Sequence, residues 1–204
     1  MSDFLFKKDV DIYDPNVSGL VEFEAERQAR RLIMIPSESI APKAVRDLLA
    51  SPFANIYAEG YPRPETRYQD EETLMDYAYQ LGRYRRHSDP RYYKGVEYVD
   101  MLESLARRRA AELFAANDLN ADDLWVNVQP LSGAPANTAV YTALIQPGDA
   151  ILGMDLLVGG HLTHGSPVNR SGLFYNAFHY SVDPKTERLD YDKILEQAKE
   201  CKPK

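Results

Sequence analysis

The sequence predicts an α/β fold, in which a helical N-terminal region precedes the first part of a mostly parallel sheet. From Leu124 onward, strand-like and helix-like runs alternate, which is typical of βαβ units. Before that point the apolar residues recur mainly at helical spacing. The 204 residues are 44% hydrophobic, which is enough for a good core. We therefore assign residues 1–120 to an N-terminal arm and helical region, and residues 121–204 to an incomplete α/β domain.

The composition excludes several classes of protein. The net charge of −7, with acids and bases interspersed, argues against a nucleic-acid-binding surface, and the basic run 83–87 is typical of a solvated helix end. No apolar run approaches the roughly 20 residues that span a bilayer, and the N-terminus does not resemble a signal peptide. The single cysteine, Cys201, cannot form an internal disulfide. We therefore predict a cytoplasmic protein with neither nucleic acid nor membrane as a partner.

The helical region begins with an arm that extends to Pro15. Ser18 can cap a helix that runs to about Arg31, and Pro42 lies where another helix can begin. The stretch 57–64 is too rich in glycine and proline for a regular element.

Two more helices follow in this region. Asp70 can cap a helix that runs to about Arg86. Apolar and tyrosine residues recur along it at helical spacing and form a tyrosine stripe, for which we predict core packing: Leu74, Tyr77, Ala78, Leu81 and Tyr84. The next helix spans about Tyr98–Phe114. Its apolar face consists of Val99, Leu102, Ala106, Ala110 and Leu113.

The α/β region alternates strands and helices. Its predicted elements are strand Leu124–Val128, helix Ala136–Ile145, strands Ala150–Met154 and Phe174–Tyr180, and a helix from the capping residue Asp190 to about Glu200. In an α/β fold a strand should follow that helix, so we expect the sheet to be truncated at Lys204.

Two loops follow predicted strands and carry the chemistry. Leu131–Asn137 is a small polar loop that opens a helix, and free N–H groups and the helix dipole suit a phosphate there. Gly159–Gly165 contains two glycines followed by His161 and His164. Loops at the ends of neighbouring strands predict an anionic cofactor at the carboxyl edge of the sheet. The two histidines could also suggest a metal pair, but no third ligand is evident, so we predict no metal site.

Four blocks together carry a specific resemblance to a known family. They are residues 57–62, 127–133, 146–149 and 159–169, and they closely resemble serine hydroxymethyltransferase. This is a pyridoxal-phosphate enzyme of the aspartate-aminotransferase fold (fold type I), with a three-layer α/β/α large domain. The resemblance runs from about Arg31 to the last residue. It implies reversible transfer of the serine hydroxymethyl group to tetrahydrofolate, which gives glycine and methylenetetrahydrofolate.

The resemblance also implies which residues hold pyridoxal phosphate. Its phosphate would lie in a cradle formed by Ser132, Gly133 and Ala134, and Tyr57 would reach the same phosphate. His161 matches the family's ring-stacking histidine, which makes it both a cofactor-binding and a catalytic candidate.

A second set of residues would contact the substrates. Glu59 matches the family's acid–base glutamate, whose carboxyl can exchange a proton during one-carbon transfer. The remaining matches are Ser37 near the substrate carboxylate, Tyr93 near the substrate, and Leu156, Gly160 and Leu162 near the tetrahydrofolate pterin. The resemblance implies a homodimer or homotetramer, in which Tyr57, Glu59 and Tyr93 lie in the partner subunit's site.

The sequence departs from the family pattern at three places. Pro135 stands where glutamine is usual, and Ser39 stands where asparagine is usual. A helix-like stretch, about 65–90, is absent from the common form and can be a lid or a variant helical region.

The covalent anchor of the cofactor is not recognisable in this chain. The family places its cofactor lysine beyond Lys204, and none of Lys185, Lys193, Lys199, Lys202 or Lys204 has the family's threonine-rich flanks. We therefore expect the isolated chain to be inactive. Two alternatives stay open: a folate-independent aldolase for β-hydroxy amino acids with the same fold, and a non-catalytic truncated fragment.

Overall fold

The computed structural model describes residues 9–87 and 89–204, which divide into two units, 1–126 and 127–204. Each unit is described here by itself. The domain division at 120/121 stays a prediction. Within the described ranges, no helix combines the length and the apolar character needed to cross a membrane.

Three helices open the first unit: α1 (Val10–Tyr13), α2 (Pro15–Arg30) and α3 (Lys43–Leu49). Helix α2 begins three residues before Ser18, because Pro15 suits the first helical position and the Asp14 carboxylate accepts hydrogen bonds from the next free N–H groups. The predicted cap at Ser18 is therefore wrong. The predicted arm is helical at α1, and its residues 1–8 lie outside the described part. None of the three helices buries a residue.

The predicted single helix from Asp70 to Arg86 is two helices, α4 (Glu71–Leu74) and α5 (Tyr77–Arg86). Asp70 caps the first by accepting from the Thr73 N–H at 2.8 Å. Asp76 then caps the second by accepting from the Tyr79 N–H at 2.9 Å. A second capping carboxylate inside the periodic stretch thus starts a new helix. Short 3₁₀ helices cover Pro52–Asn55 and Pro64–Tyr68, and the segment between them is irregular, as predicted.

Helix α6 (Glu97–Phe114) belongs to the first unit, and the apolar face named from its sequence is not the face that is buried. Leu102 and Leu113 are 41% and 80% exposed. The residues of α6 that are buried instead are Asp100, Met101, Ser104 and Ala111. Two of these four are polar and find partners inside the unit, so an apolar pattern could not reveal this face.

The tyrosine stripe of α5 also packs differently from the prediction. Leu74 is buried, whereas Tyr77 is 57% exposed and Gln80 lies in the interior at 2% exposure. The Gln80 amide is buried because it bonds Arg63, Gln69 and the Thr73 carbonyl. In the basic run at the end of α5, Arg85, Arg86 and His87 are exposed as predicted, whereas Arg83 and Tyr84 are half-buried.

The second unit is an α/β arrangement around a two-stranded parallel sheet. Its elements are α7 (Gly133–Leu144), β1 (Ala150–Met154), α8 (Arg170–Phe174), β2 (Asn176–Tyr180) and α9 (Tyr191–Cys201). The strands pair from Ala150 with Asn176 to Met154 with Tyr180. This confirms the α/β class with parallel pairing. Strand β1 has the predicted bounds, while α7 begins three residues before Ala136 and β2 begins two residues after Phe174. Asp190 caps α9, as predicted.

The predicted strand Leu124–Val128 does not form. The Leu124 carbonyl accepts from the Arg67 guanidinium at 3.3 Å, and the Val126 carbonyl accepts from Arg107 Nε at 3.0 Å. Arginine side chains of the first unit therefore take the acceptors that a neighbouring strand would use. The prediction failed because a strand depends on a partner that its own residues do not specify.

Candidate functional site

The loop after β1 is held tightly against its own strand. Asp155 accepts from the Leu157 N–H through its side chain and from the Gly160 N–H through its carbonyl, both at 2.8 Å. Gly159 has φ +112°, in the left-handed region that favours glycine. A Cβ on Gly160 would lie 2.0 Å from the Met154 carbonyl oxygen. Both glycines are therefore required by the packing of the loop itself.

The two histidines of this loop accept hydrogen bonds through Nδ1. The Thr163 N–H donates to His161 Nδ1 at 3.2 Å, and the His161 N–H donates to His164 Nδ1 at 3.1 Å. A neutral imidazole that accepts at Nδ1 carries its hydrogen on Nε2. The two side chains together cap the short 3₁₀ helix Leu162–His164, and His161 is exposed.

Helix α7 anchors the histidine loop through Thr163, which is 2% exposed. Asn137 Nδ2 donates to Thr163 Oγ1 at 2.7 Å, and the Tyr141 hydroxyl donates to the Thr163 carbonyl at 2.9 Å. Burial raises the pKa of Tyr141, which keeps its hydroxyl protonated as a donor. The sequence pattern does not single out these three residues. The only available signal is that Asn137 and Tyr141 lie four residues apart, on one face of α7.

The predicted phosphate cradle lies at the N-terminus of the same helix. Ser132 is the N-cap residue, and its hydroxyl makes no capping hydrogen bond. The first intrahelical bond runs from the Ala136 N–H to the Ser132 carbonyl. Within the described residues, the N–H groups of Gly133 and Ala134 have no acceptor, and Pro135 has no N–H to satisfy. One hydroxyl and two N–H groups therefore remain available at the positive end of the helix dipole.

The structure brings together three of the predicted residues in the first unit. The rings of Tyr57 and Tyr93 meet edge to face with centroids 4.8 Å apart, and Tyr57 Oη lies 3.4 Å from Glu59 Oε2. The negative charge of Glu59 raises the pKa of Tyr57, and the neighbouring Tyr93 adds to this effect. The phenol therefore stays protonated and can donate to the Glu59 carboxylate. We call Tyr57, Glu59 and Tyr93 the glutamate cluster.

A buried arginine supports the glutamate cluster. Arg91 is 3% exposed, and its Nη1 donates to the Ala58 carbonyl at 2.7 Å and the Gly60 carbonyl at 2.9 Å. The Tyr92 N–H donates to the Glu59 carbonyl at 3.2 Å. Gly60 has φ +105°, and a Cβ there would lie 3.2 Å from Arg91 Cα. The loop that carries Glu59 is thus fixed through its backbone on both sides of that residue.

Two carboxylates of α6 balance the charge of Arg91. Its Nε donates to Asp100, and its Nη2 donates to Glu103 at 2.6 Å. Burial raises the pKa of Asp100 to about 7, and repulsion from Glu103 adds to this rise. The sequence pattern does not indicate this network either. Its one signal is the pair of acids three residues apart on α6, which lie on one helix face.

The other predicted substrate contacts are more scattered. Ser37 is exposed in a turn of the first unit, and within the described residues no hydrogen bond joins it to the glutamate cluster. In the second unit, Leu156 and His161 line one cavity of about 220 Å³, together with Asp155, Ser166, Pro167 and His179. Leu162 follows His161 in the sequence and is 43% exposed, and Gly160 contributes backbone to the same loop. Among residues 9–87 and 89–204, no group of three or more His, Cys, Asp or Glu side chains is placed to hold a metal ion.

A comparison with protein families gives a match that includes both the glutamate cluster and the residues of the phosphate cradle and the histidine loop. The family model for serine hydroxymethyltransferase matches residues 10–89 and 86–204. The two matches together extend from Val10 to the last residue.

Proposed function

Because the chain belongs to the serine hydroxymethyltransferase family, we propose that it supplies the cofactor-holding part of a pyridoxal-phosphate enzyme. The proposed reaction is reversible transfer of the hydroxymethyl group of serine to tetrahydrofolate, which yields glycine and methylenetetrahydrofolate. One observation carries this proposal. The free N-terminus of α7 and the exposed His161 are joined through Asn137 and Thr163.

The residues at this place fit the phosphate of the cofactor. The N–H groups of Gly133 and Ala134 and the Ser132 hydroxyl are all donors, and the first turn of α7 contains no acidic residue. A Cβ on Gly133 would meet no atom within 4 Å, so the approach to this helix end is open. Such an N-terminus binds an anion through its N–H groups and its dipole.

The residues also fit the ring of the cofactor. His161 offers a flat, exposed imidazole whose Nδ1 is engaged by Thr163, so the ring has a defined orientation before any ligand arrives. Stacking between flat rings contributes on the order of 1 kcal/mol. In the bound state, pyridoxal phosphate withdraws the negative charge that develops on the amino-acid substrate.

The chain's own residues would then perform three tasks. Ser132, Gly133 and Ala134 bind the phosphate, and His161 orients the ring. Glu59 holds and returns a proton at the hydroxymethyl oxygen, which is the role of a general acid–base. Tyr57, which stays protonated beside Glu59, remains a hydrogen-bond donor and would reach the cofactor phosphate. In the proposed homodimer or homotetramer, the glutamate cluster serves the site of the partner subunit.

Two variants of one residue test the phosphate cradle. Gly133→Pro removes one N–H group at the first helical position, where proline is well accommodated, and the extended Ser132 is compatible with a following proline. Gly133→Ala keeps that N–H and is the matched control. The probe is 4′-deoxypyridoxine 5′-phosphate, which lacks the aldehyde and so can bind without a lysine. We expect the proline variant to bind about tenfold more weakly, because a charge-assisted hydrogen bond is lost, and the alanine variant to bind like the parent chain.

Circular dichroism of both variants checks that helix α7 is retained. Equal affinity of the proline variant and the parent chain would contradict the assignment of the cradle. If the parent chain bound the unphosphorylated probe as tightly as the phosphorylated one, the assignment would be contradicted as well.

A further inference from the structure

Thr163 has a buried side chain with more than one polar partner, and its contacts reach beyond the anchoring of the loop to α7. Its Oγ1 lies 2.7 Å from Asn137 Nδ2 on one side and 2.7 Å from His161 Nδ1 on the other. Its own N–H also donates to His161 Nδ1. Since only 2% of Thr163 is exposed, these protein groups take the place of water.

The direction of these hydrogen bonds follows from counting hydrogens. His161 Nδ1 accepts from the Thr163 N–H, so it carries no hydrogen itself. The hydroxyl of Thr163 therefore donates to Nδ1. A hydroxyl has only one hydrogen, so its contact with Asn137 must be one in which Asn137 donates. The chain of donors runs from Asn137 through Thr163 to His161.

We propose that Thr163 is a positioning residue that holds His161 in the Nε2–H tautomer, and that Asn137 sets the direction of this hydrogen-bond chain. The statement about the tautomer concerns the chain alone. The consequence for the cofactor rests on the proposed function: His161 presents a neutral ring of fixed orientation because α7, which carries the phosphate cradle, also carries Asn137. The cradle and the ring support are therefore set by one helix.

Other threonines show that the arrangement of Thr163 is not the only way to satisfy a hydroxyl. Thr138 and Thr142 each donate to the carbonyl four residues earlier in α7, at 2.9 Å and 2.8 Å. Thr163 instead donates to the side chain of an exposed histidine. An exposed imidazole would otherwise rotate and exchange between its two neutral tautomers. The contact thus orders an exposed ring whose Nδ1 also accepts the capping hydrogen bond of the 3₁₀ helix Leu162–His164.

Three substitutions distinguish two effects: the presence of the Thr163 hydroxyl, and the direction in which this hydroxyl donates its hydrogen. Thr163→Val keeps the shape and removes the hydroxyl, whereas Thr163→Ser keeps the hydroxyl and should restore the contact. Asn137→Asp keeps the size but can only accept, so the Thr163 hydroxyl turns toward residue 137 and is lost to His161. Thr142→Val removes an exposed hydroxyl of the same helix and is the matched control.

The first measurement is the ¹⁵N spectrum of the histidine side chains, because the shifts of the two ring nitrogens report which one carries hydrogen. In the parent chain, Thr163→Ser and Thr142→Val, we expect His161 as the Nε2–H tautomer. In Thr163→Val and Asn137→Asp, the two nitrogen shifts should move toward each other as the Nδ1–H form becomes populated. If the buried valine prevents folding, Asn137→Asp decides alone. An unchanged His161 spectrum in a folded Asn137→Asp chain overturns the proposal.

The second measurement is binding of 4′-deoxypyridoxine 5′-phosphate. Thr163→Val should bind about threefold to tenfold more weakly, the scale of one lost hydrogen bond, and Thr163→Ser should bind like the parent chain. A shifted tautomer with unchanged affinity overturns the link between Thr163 and the cofactor. If the parent chain does not bind the probe while the tautomer shifts as expected, the proposed function fails and the role of Thr163 in fixing the tautomer stands.

Discussion

Replacement of Arg91 by methionine tests whether one buried guanidinium holds the glutamate cluster in place. Methionine fills much of the same volume but removes the charge and every donor. The variant loses the hydrogen bonds to the carbonyls of Ala58 and Gly60 and the ion pairs with Asp100 and Glu103. The loop that carries Glu59 loses its main support at the same time.

The expected loss of stability follows from the charges that remain. Removal of one partner from a buried ion pair costs roughly 3–5 kcal/mol, because the other charge is left unpaired. Asp100 has a pKa of about 7 and can take up a proton at neutral pH, so Glu103 is the main uncompensated charge. We therefore expect the lower end, about 3 kcal/mol at pH 7. Arg91→Lys keeps a charge but cannot reach all four acceptors, and we expect about 1.5 kcal/mol from one or two lost hydrogen bonds.

Denaturant unfolding followed by tryptophan fluorescence measures the loss of stability of the first structural unit. Trp125 is the only tryptophan and belongs to the first unit, where the Arg67 guanidinium lies 4.0 Å from its ring centroid. Hydrogen exchange at the Tyr92 N–H, which is bonded to the Glu59 carbonyl, reports on the loop itself. We expect faster exchange there in Arg91→Met.

Arg109→Met is the matched control, since Arg109 forms an exposed ion pair with Glu71 in the same unit. Exposed pairs of this kind contribute about 0–1 kcal/mol. If Arg91→Met costs no more than Arg109→Met and leaves exchange at Tyr92 unchanged, the support of the cluster by Arg91 is refuted.

Two further predictions concern activity and pH. In the active enzyme, Glu59→Gln should lower folate-dependent serine cleavage by about 10²-fold or more, the scale of a positioned acid or base. Hybrids with subunits that lack the cofactor lysine should regain activity if the cluster serves the partner's site, and inactive hybrids that assemble normally would contradict site sharing. Burial raises the pKa of Asp100 from 3.8 to about 7, so the folded unit binds more protons than the unfolded chain between these values. This contribution to stability is complete below pH 3.8 and is lost as the pH rises through 7. Unfolding midpoints across this range should therefore fall less steeply in Asp100→Asn, and parallel slopes in both chains would disprove the assignment.

The elements that could be predicted from the sequence are those that local interactions determine. Strand β1 is a short apolar run between turns, and α9 begins at a capping aspartate; both formed as predicted. The stretch Leu124–Val128 has the same strand-like composition, yet Arg67 and Arg107 take its carbonyls. Composition specifies that a segment can be extended, but not which group will accept or donate along it.

The candidate site divides in the same way. The residues that would touch ligand, such as Glu59 and His161, stand in recognisable motifs and could be named from the sequence. The residues that hold them could not, because Arg91 acts on a loop about 30 positions away in sequence and Asn137 acts on Thr163 across 26 positions. These residues act through tertiary contacts, and the local sequence around them shows little or no recognisable pattern.

Both groups of residues share one physical arrangement, although they lie in different units. An exposed side chain with a proposed chemical role, Glu59 or His161, is fixed by a buried polar residue, Arg91 or Thr163, that has several partners. A fully bonded buried polar group is expensive to disturb, because any displacement leaves a donor or an acceptor unpaired. The exposed side chain is therefore held in a fixed orientation by the buried residue while it stays accessible to a ligand. It follows that substitutions at Arg91 or Thr163 should change the orientation of the proposed chemical groups without touching a ligand, whereas exposed neighbours such as Tyr92 should tolerate change more readily.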